Sequence, residues 1–302
     1  MPPSPPTTPR QCSVPSPSGE PVRIGSDRPL AVIAGPCVLE SLEMGLAIGE
    51  HVKGLCERLG LAYIFKASFD KANRSSVTSP RGPGLERGLA WMGRIRETLG
   101  VPVTTDVHTP EQCDPAARVV DLLQIPAFLC RQTDLLFAAG EAGKSHDAGV
   151  NVKKGQFLSP DEMVGPVKKL AEAGCENVLL TERGTFFGYH RLVNDFTGLG
   201  DLMALDCSGF SQLGSPPVCF DVTHSTQLPG SGTQTGGRPE RAGLLARAAT
   251  ASGVPALFIE CHPEPSKAMS DGSTQQPLGA MEPLLTEIIA IRNALSGTNA
   301  SA

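Results

Sequence analysis

The sequence predicts a single-domain α/β fold, a (β/α)8 or TIM barrel, preceded by a disordered N-terminal tail. Three observations carry that reading. Eight short β-rich runs alternate with helix-like segments between residues 29 and 297. The runs are continuously apolar rather than alternating, the pattern of parallel strands covered on both faces. Charged and hydrogen-bonding side chains recur where the runs end, which in such a barrel is the C-terminal mouth. A doubly wound open sheet is the rival, but it rarely needs eight strands, and no glycine fingerprint follows the first run.

In chain order, strands are expected at 30–37, 62–67, 101–107, 120–125, 150–154, 177–181, 218–222 and 256–260. The segments between them carry helix signals. His51 and Cys56 sit on a helical pattern, and Leu85, Leu89, Met92, Ile95 and Leu99 recur at helical spacing. Thr109-Pro110-Glu111-Gln112 and Ser159-Pro160-Asp161-Glu162 read as capping boxes with proline at the first helical position. Leu284, Ile288, Ile291 and Leu295 mark a last amphipathic helix. The stretch LPGSGTQTGG after His224 lacks the GK[ST] ending of a phosphate-binding loop and reads as a lid over the mouth.

The bulk composition narrows the class. With 302 residues, 40% of them hydrophobic, the chain can build a large core. A formal charge of −5 gives no reason to expect nucleic acid, and no apolar run reaches the roughly 20 residues that cross a bilayer. Residues 1–28 are rich in Pro and Ser, lack an apolar signal core, and are expected to be a disordered tail. A transit peptide is a weaker reading, because Arg10 is the only base before Glu20. Residues 298–302 are expected to fray. Nine cysteines, an odd number with no CxxC spacing, suit reduced thiols in a cytoplasmic protein.

In a barrel, the strand ends would bring many polar residues to one rim. Lys66, Asp106, Gln124, Lys153, Arg183, His224 and Glu260 end successive runs, and Lys71, Arg74 and Arg131 follow in the loops. A lone strand-end lysine is usually a solvated charge. Six cations at one rim of an acidic protein would repel one another unless anions share the space. Asn73, Ser75 and Ser76 interleave with them, so phosphorylated substrates are the expected ligands.

A second set at the same rim suggests a metal. Cys37, His224 and Glu260 close the first, seventh and eighth runs, and Asp271 follows shortly after. Alone, Cys37 would be a small buried hydrophobe and His224 a satisfied core histidine. In a closed barrel the first and eighth strands are neighbours, which puts Cys37 beside Glu260. A sulfur, nitrogen and oxygen donor set suits Fe²⁺, Zn²⁺ or Mn²⁺. His262, two residues past Glu260, is a rival ligand to Asp271, and Cys261 should face the other side of its strand.

With these residues in place, the chain from Leu30 to Gly297 resembles the 3-deoxy-D-manno-octulosonate-8-phosphate synthases. The stretches FKASFDKANRSS, RGPGLE, TTDVH, QIPAFLCRQTDL, NVKKGQF, TERGTFFGY, DVTHSTQLPG and ECHPEP carry the likeness. The resemblance implies condensation of phosphoenolpyruvate with D-arabinose 5-phosphate for lipopolysaccharide core synthesis, by a cytoplasmic homotetramer. Metal-independent members carry Asn where this chain has Cys37, so the resemblance implies the metal-dependent class, with Cys37, His224, Glu260 and Asp271 as ligands. It also implies that Asn73, Arg74, Ser75 and Ser76 hold arabinose 5-phosphate, with Arg131 arriving from a neighbouring subunit. Lys153, Arg183, Gln124 and Ala127, helped by Lys71, would line the phosphoenolpyruvate pocket, with Lys66 on its carboxylate side. Lys66, Lys153, His224 and Asp106 are the expected catalytic residues. The long N-terminal tail departs from the family pattern.

The related synthase that uses erythrose 4-phosphate is the nearest alternative, disfavoured by KANRSS where that family has a KPRTS-like segment. Metal-dependent aldolases and a phosphosugar-binding barrel without catalysis are more distant ones. Release of inorganic phosphate would exclude an aldolase, and broken ligand positions would mark a catalytically dead barrel.

Overall fold

The computed structural model describes residues 11–72, 80–211, 214–230 and 236–299. Eight parallel strands form the barrel: β1 Ala31–Gly35, β2 Ala62–Lys66, β3 Val103–Asp106, β4 Leu122–Ile125, β5 Gly149–Lys153, β6 Val178–Glu182, β7 Val218–Asp221 and β8 Ala256–His262. Each pairs with the next, and β8 pairs with β1 in register Ala256↔Ala31 through Glu260↔Gly35, which closes the ring. The helices between them are α1 Leu42–Leu59, α2 Leu85–Leu99, α3 Pro110–Ala117, α4 Thr133–His146, α5 Val164–Glu172, α6 Phe196–Met203, α7 Ala242–Ala251 and α8 Met281–Asn299. The expected β-then-α order is present throughout.

Local chemistry explains where the helices start. Ser41 Oγ accepts from Met44 N at 3.1 Å to cap α1, and Asp195 accepts from Thr197 N at 3.0 Å to cap α6. Before α5, Glu162 accepts from both Ser159 N (2.8 Å) and Ser159 Oγ (3.2 Å), the back-bonding half of the expected capping box. Before α3, Gln112 reaches one residue further, to His108 N at 2.8 Å. Leu89, Met92, Ile95 and Leu99 bury the α2 stripe against the sheet, as the spacing predicts. The eighth strand runs two residues past its expected end, because Cys261 and His262 pair with a short strand, Gln276–Pro277.

Two cores result. The larger lies between the sheet and the helices; the smaller fills the barrel with Ala31, Ile33, Ile64, Leu122, Leu179, Cys219, Ala256 and Phe258. The expected disordered tail is wrong for residues 11–28. Gln11–Val14 and Val22–Gly25 form an antiparallel hairpin, and its Cys12, Val14 and Ile24 are fully buried against the smaller core. Asn177, just before β6, accepts from Ser13 N at 2.8 Å and donates to Ser13 O, fixing the hairpin at the end opposite the mouth. Alternating apolar residues in QCSV and VRIG supply the physical cause, since barrel strands leave their N-terminal end open to be covered. Residues 1–10 lie outside the described residues, and so do 300–302. Helix α8 continues to Asn299, two residues into the stretch expected to fray. Among the described residues, no helix is long and apolar enough to cross a membrane.

Candidate active site

A cavity of about 650 Å³ opens at the C-terminal mouth. Lys66, Asp106, Gln124, Lys153, Arg183, His224 and Glu260 line it from the ends of seven different segments, joined by Lys71, Ala127 and Asp271. The expected residues at the ends of the second to eighth runs therefore reach one space, while Cys37, after the first, is buried behind it.

The cation side begins at a close approach of β1 and β2. A Cβ on Gly35 would stand 2.0 Å from the Lys66 carbonyl oxygen, so only glycine allows this crossing. The chain then turns at Pro36 and buries Cys37, whose Sγ lies 3.1 Å from Asp271 Oδ2 and 3.2 Å from Ser270 Oγ. One ligand atom each from Cys37, Glu260 and Asp271 falls within 4.8 Å of the others. His224 reaches this trio through Glu260, with Nε2 at 3.8 Å from Oε1. His262 instead faces Glu40 at 3.5 Å and accepts from Glu264 N at 3.0 Å, which leaves the cluster to Asp271. Cys261 packs outward in the larger core, as alternation requires.

The donors in this cluster fit a divalent ion. Glu260 is fully buried and its Oε2 has no hydrogen-bond partner among the described residues. Burial, then Asp271 and Glu260, push the Cys37 thiol well above its ordinary range. A cation among these three groups would reverse that preference, satisfy Oε2 and favour the thiolate. Asp271 adds a geometric sign: among the described residues it is one of three non-glycine positions with positive φ, at 49°. Backbone strain of that kind persists where the surroundings over-determine a position.

Fixed carboxylates hold the cations. Lys66 Nζ donates to Glu260 Oε1 and to Cys37 O at 2.9 Å. Burial opposes ionisation of Glu260, but Lys66 and His224 outweigh it and bring the carboxyl down to about 2. Asp221 accepts from Lys153 Nζ at 2.7 Å and from His224 Nδ1 at 2.9 Å. A carboxylate only accepts, so Nδ1 carries a proton in this contact, and Nε2 is the ring nitrogen that faces Glu260. Phe258 underlies Lys153, with the ammonium 3.6 Å from its ring centre. Around the far wall, Thr181 donates to Asn151, Asn151 to Gln124 and Gln124 to Asp106, whose other oxygen accepts from Ser68. Burial works against an ionised Asp106, yet Lys71, Lys66 and Lys153 hold its carboxyl far below the usual range.

Arg183 marks the anion side. It is 4% exposed, one nitrogen donates to Gln227, and Nη1 is buried without a partner among the described residues. An unpaired guanidinium edge on a cavity wall is matched by a phosphate or carboxylate.

Two expectations about the rim need correction. Of the six cations placed at the rim, Lys66, Lys71, Lys153 and Arg183 line the cavity, but acids accompany them, so uncompensated repulsion is not the reason to invoke anions. Arg131 is exposed and outside the cavity lining, its carbonyl accepting from Lys169. Arg74, with Asn73, Ser75 and Ser76, lies outside the described residues. The arms of the expected lid pair as Gln227–Leu228 with Gly236–Gly237, and residues 231–235 between them are outside the described residues as well.

Asp221, Gln275, Thr223 and Phe258 were not legible as site residues. Gln275 accepts from Cys37 N at 3.2 Å and donates to Ser270 O at 2.8 Å, tying the Asp271 loop to β1. Thr223 Oγ1 accepts from Glu260 N at 2.7 Å. The one sequence signal was an aspartate, Asp221, inside an otherwise apolar strand.

The fold and this mouth define a barrel enzyme in which a sulfur-and-carboxylate cluster that could hold a cation adjoins buried cationic side chains. The chain belongs to the DAHP synthetase I family, whose sequence profile matches residues 9–295. It is 48% identical over 284 residues to a protein named 2-dehydro-3-deoxyphosphooctonate aldolase from Desulfotalea psychrophila, covering 94% of this chain and 97% of the relative. Proteins of the same name from Cyanothece sp. and Granulibacter bethesdensis are 50% identical over 274 residues and 52% over 268. Those matches cover 90% and 88% of this chain, and 96% and 90% of the relatives.

Proposed function

We propose that this chain condenses phosphoenolpyruvate with D-arabinose 5-phosphate, giving 3-deoxy-D-manno-octulosonate 8-phosphate and inorganic phosphate. It is then a transferase that depends on a divalent metal and serves lipopolysaccharide core synthesis. The observation that carries this reading is one cavity lined both by Glu260 and Asp271, which cluster with the buried Cys37, and by the cationic Arg183 and Lys153. The relatives' name favours this product over that of the erythrose 4-phosphate synthase.

Carbon 3 of phosphoenolpyruvate attacks the sugar aldehyde, water adds at carbon 2, and the hemiketal phosphate expels inorganic phosphate by C–O cleavage. An enol phosphate is a weak nucleophile, so holding it against the aldehyde is the main task, worth on the order of several kcal/mol. Arg183 and Lys153 seat its anionic groups, with Gln124, Ala127 and Lys71 completing that wall. Lys66, against Glu260, faces the carboxylate side and offsets charge at carbon 2. Asp106 fixes Lys71 and Ser68 by ionic and hydrogen bonds. Asn73, Arg74, Ser75 and Ser76 hold the sugar phosphate by resemblance alone. Cys37, His224, Glu260 and Asp271 would hold Fe²⁺, Zn²⁺ or Mn²⁺, which supplies Lewis acidity toward a carbonyl or water oxygen.

A homotetramer fits the exposed Phe128, Phe157, Phe186 and Phe187 near the mouth and the exposed Arg131, offered to a neighbour's site. All nine cysteines are buried thiols outside any disulfide, in keeping with a cytoplasmic location. Product analysis with each aldose, after chelation and then with single metals restored, tests the function. Turnover of arabinose 5-phosphate restored by metal is the expected result. Preference for erythrose 4-phosphate would overturn the substrate, and full activity after chelation would remove the metal.

A further inference from the structure

One oxygen atom serves two partners in this mouth. Asp221 Oδ2 accepts from His224 Nδ1 at 2.9 Å and from Lys153 Nζ at 2.7 Å, while Oδ1 accepts from His224 N at 2.8 Å. Asp221 is fully buried, so water cannot substitute for either donor. Strand pairing sets it opposite Phe258, whose ring also supports the Lys153 ammonium. His224 belongs to the cation side and Lys153 to the anion side.

We propose that Asp221 is a positioning residue that couples the cation seat to the phosphoenolpyruvate seat, so that each ligand tightens the other. This rests on the function proposed above. The reason is competition for Oδ2. A cation on His224 Nε2 makes Nδ1–H a stronger donor and draws the carboxylate toward the ring. Lys153 is then held less tightly and is released toward an anion in the cavity. In the other direction, an anion that engages Lys153 leaves Oδ2 to His224 and makes the ring a better ligand. Coupling between two equilibria is reciprocal, so one factor must describe both directions.

Calorimetric titration of phosphoenolpyruvate into chelator-stripped and Co²⁺-loaded protein measures that factor, and the cobalt–thiolate absorption measures Co²⁺ affinity with and without phosphoenolpyruvate. In the wild-type chain both affinities should rise by the same factor, about five-fold or more. Asp221→Asn should weaken Co²⁺ binding by about 10–100-fold, with the coupling factor falling to near one. Asp221→Glu, which keeps the charge and displaces the oxygens, should give an intermediate factor and serves if the Asn variant does not fold. A wild-type factor of one, or a variant that keeps the wild-type factor, overturns the coupling and leaves the proposed reaction standing. If neither stripped nor loaded wild-type protein binds phosphoenolpyruvate, the proposed function itself falls, and the coupling with it.

Discussion

Cys37 Sγ lies 3.1 Å from Asp271 Oδ2, although 234 positions separate the two residues. The contact exists because β8 is hydrogen-bonded to β1 and because the loop beyond β8 folds back to pair Gln276 with Cys261. A thiol that close to the half-buried Asp271 and the buried Glu260, one of whose oxygens has no partner among the described residues, is a poor arrangement for a protein without a cation and a good one with it.

Cys37→Ala should therefore abolish tight metal binding while the barrel stays folded. Loss of outer-shell partners alone costs about 10–100-fold, so losing a ligand should lower turnover by at least about 100-fold. Metal content per chain and circular dichroism check the two halves. Full turnover of the variant in chelator-treated buffer would refute the assignment.

Arg183→Ala should raise the dissociation constant for phosphoenolpyruvate. Hydrogen bonds to charged groups contribute about 1.5–3 kcal/mol, or roughly a 10–100-fold loss of affinity. Calorimetry on the variant decides the matter, and an affinity within two- to three-fold of the wild-type value would place the anion elsewhere.

Ile24→Ala should destabilise the chain by about 2–5 kcal/mol, the usual loss for truncating a buried isoleucine, without changing kcat/KM. The hairpin that carries Ile24 closes the end of the barrel away from the mouth. Urea unfolding and steady-state kinetics measure the pair of effects, and an unchanged unfolding midpoint would restore the disordered tail.

His108 gives a pH signature of stability. Burial holds its ring below the ordinary histidine value, although Asp106 and Asp70 pull the other way, and its Nδ1 is buried without a partner among the described residues. With the folded value depressed, the unfolded chain takes up the proton first as the pH falls. The contribution is present above roughly pH 6.5 and is lost below it. The urea midpoint should fall more steeply between pH 7.5 and 5.5 in the wild-type chain than in His108→Gln. Parallel curves would show that this ring is not the cause.

Much of the molecule was legible in one dimension. Continuous apolar runs such as AVIAG and VLL, with helical stripes between them, require parallel strands covered on both faces, and eight such units require closure. Closure then places every strand end at one rim, so Lys66, Asp106, Gln124, Lys153, Arg183, His224 and Glu260 could be assigned to one site before any coordinates. The tail was misread because a proline-rich composition outweighed a four-residue alternation whose burial depends on a surface built by the rest of the chain. Asp271 over His262 was open to spacing, and only the return of the chain beside β8 decided it. Asp221 and Gln275 escaped for the same reason: their partners are fixed by side-chain direction and loop path, which composition and periodicity do not encode. Periodicity reports which face a residue occupies, whereas hydrogen-bond partnership depends on a few ångströms of three-dimensional placement, and that is set only when all eight strands have closed.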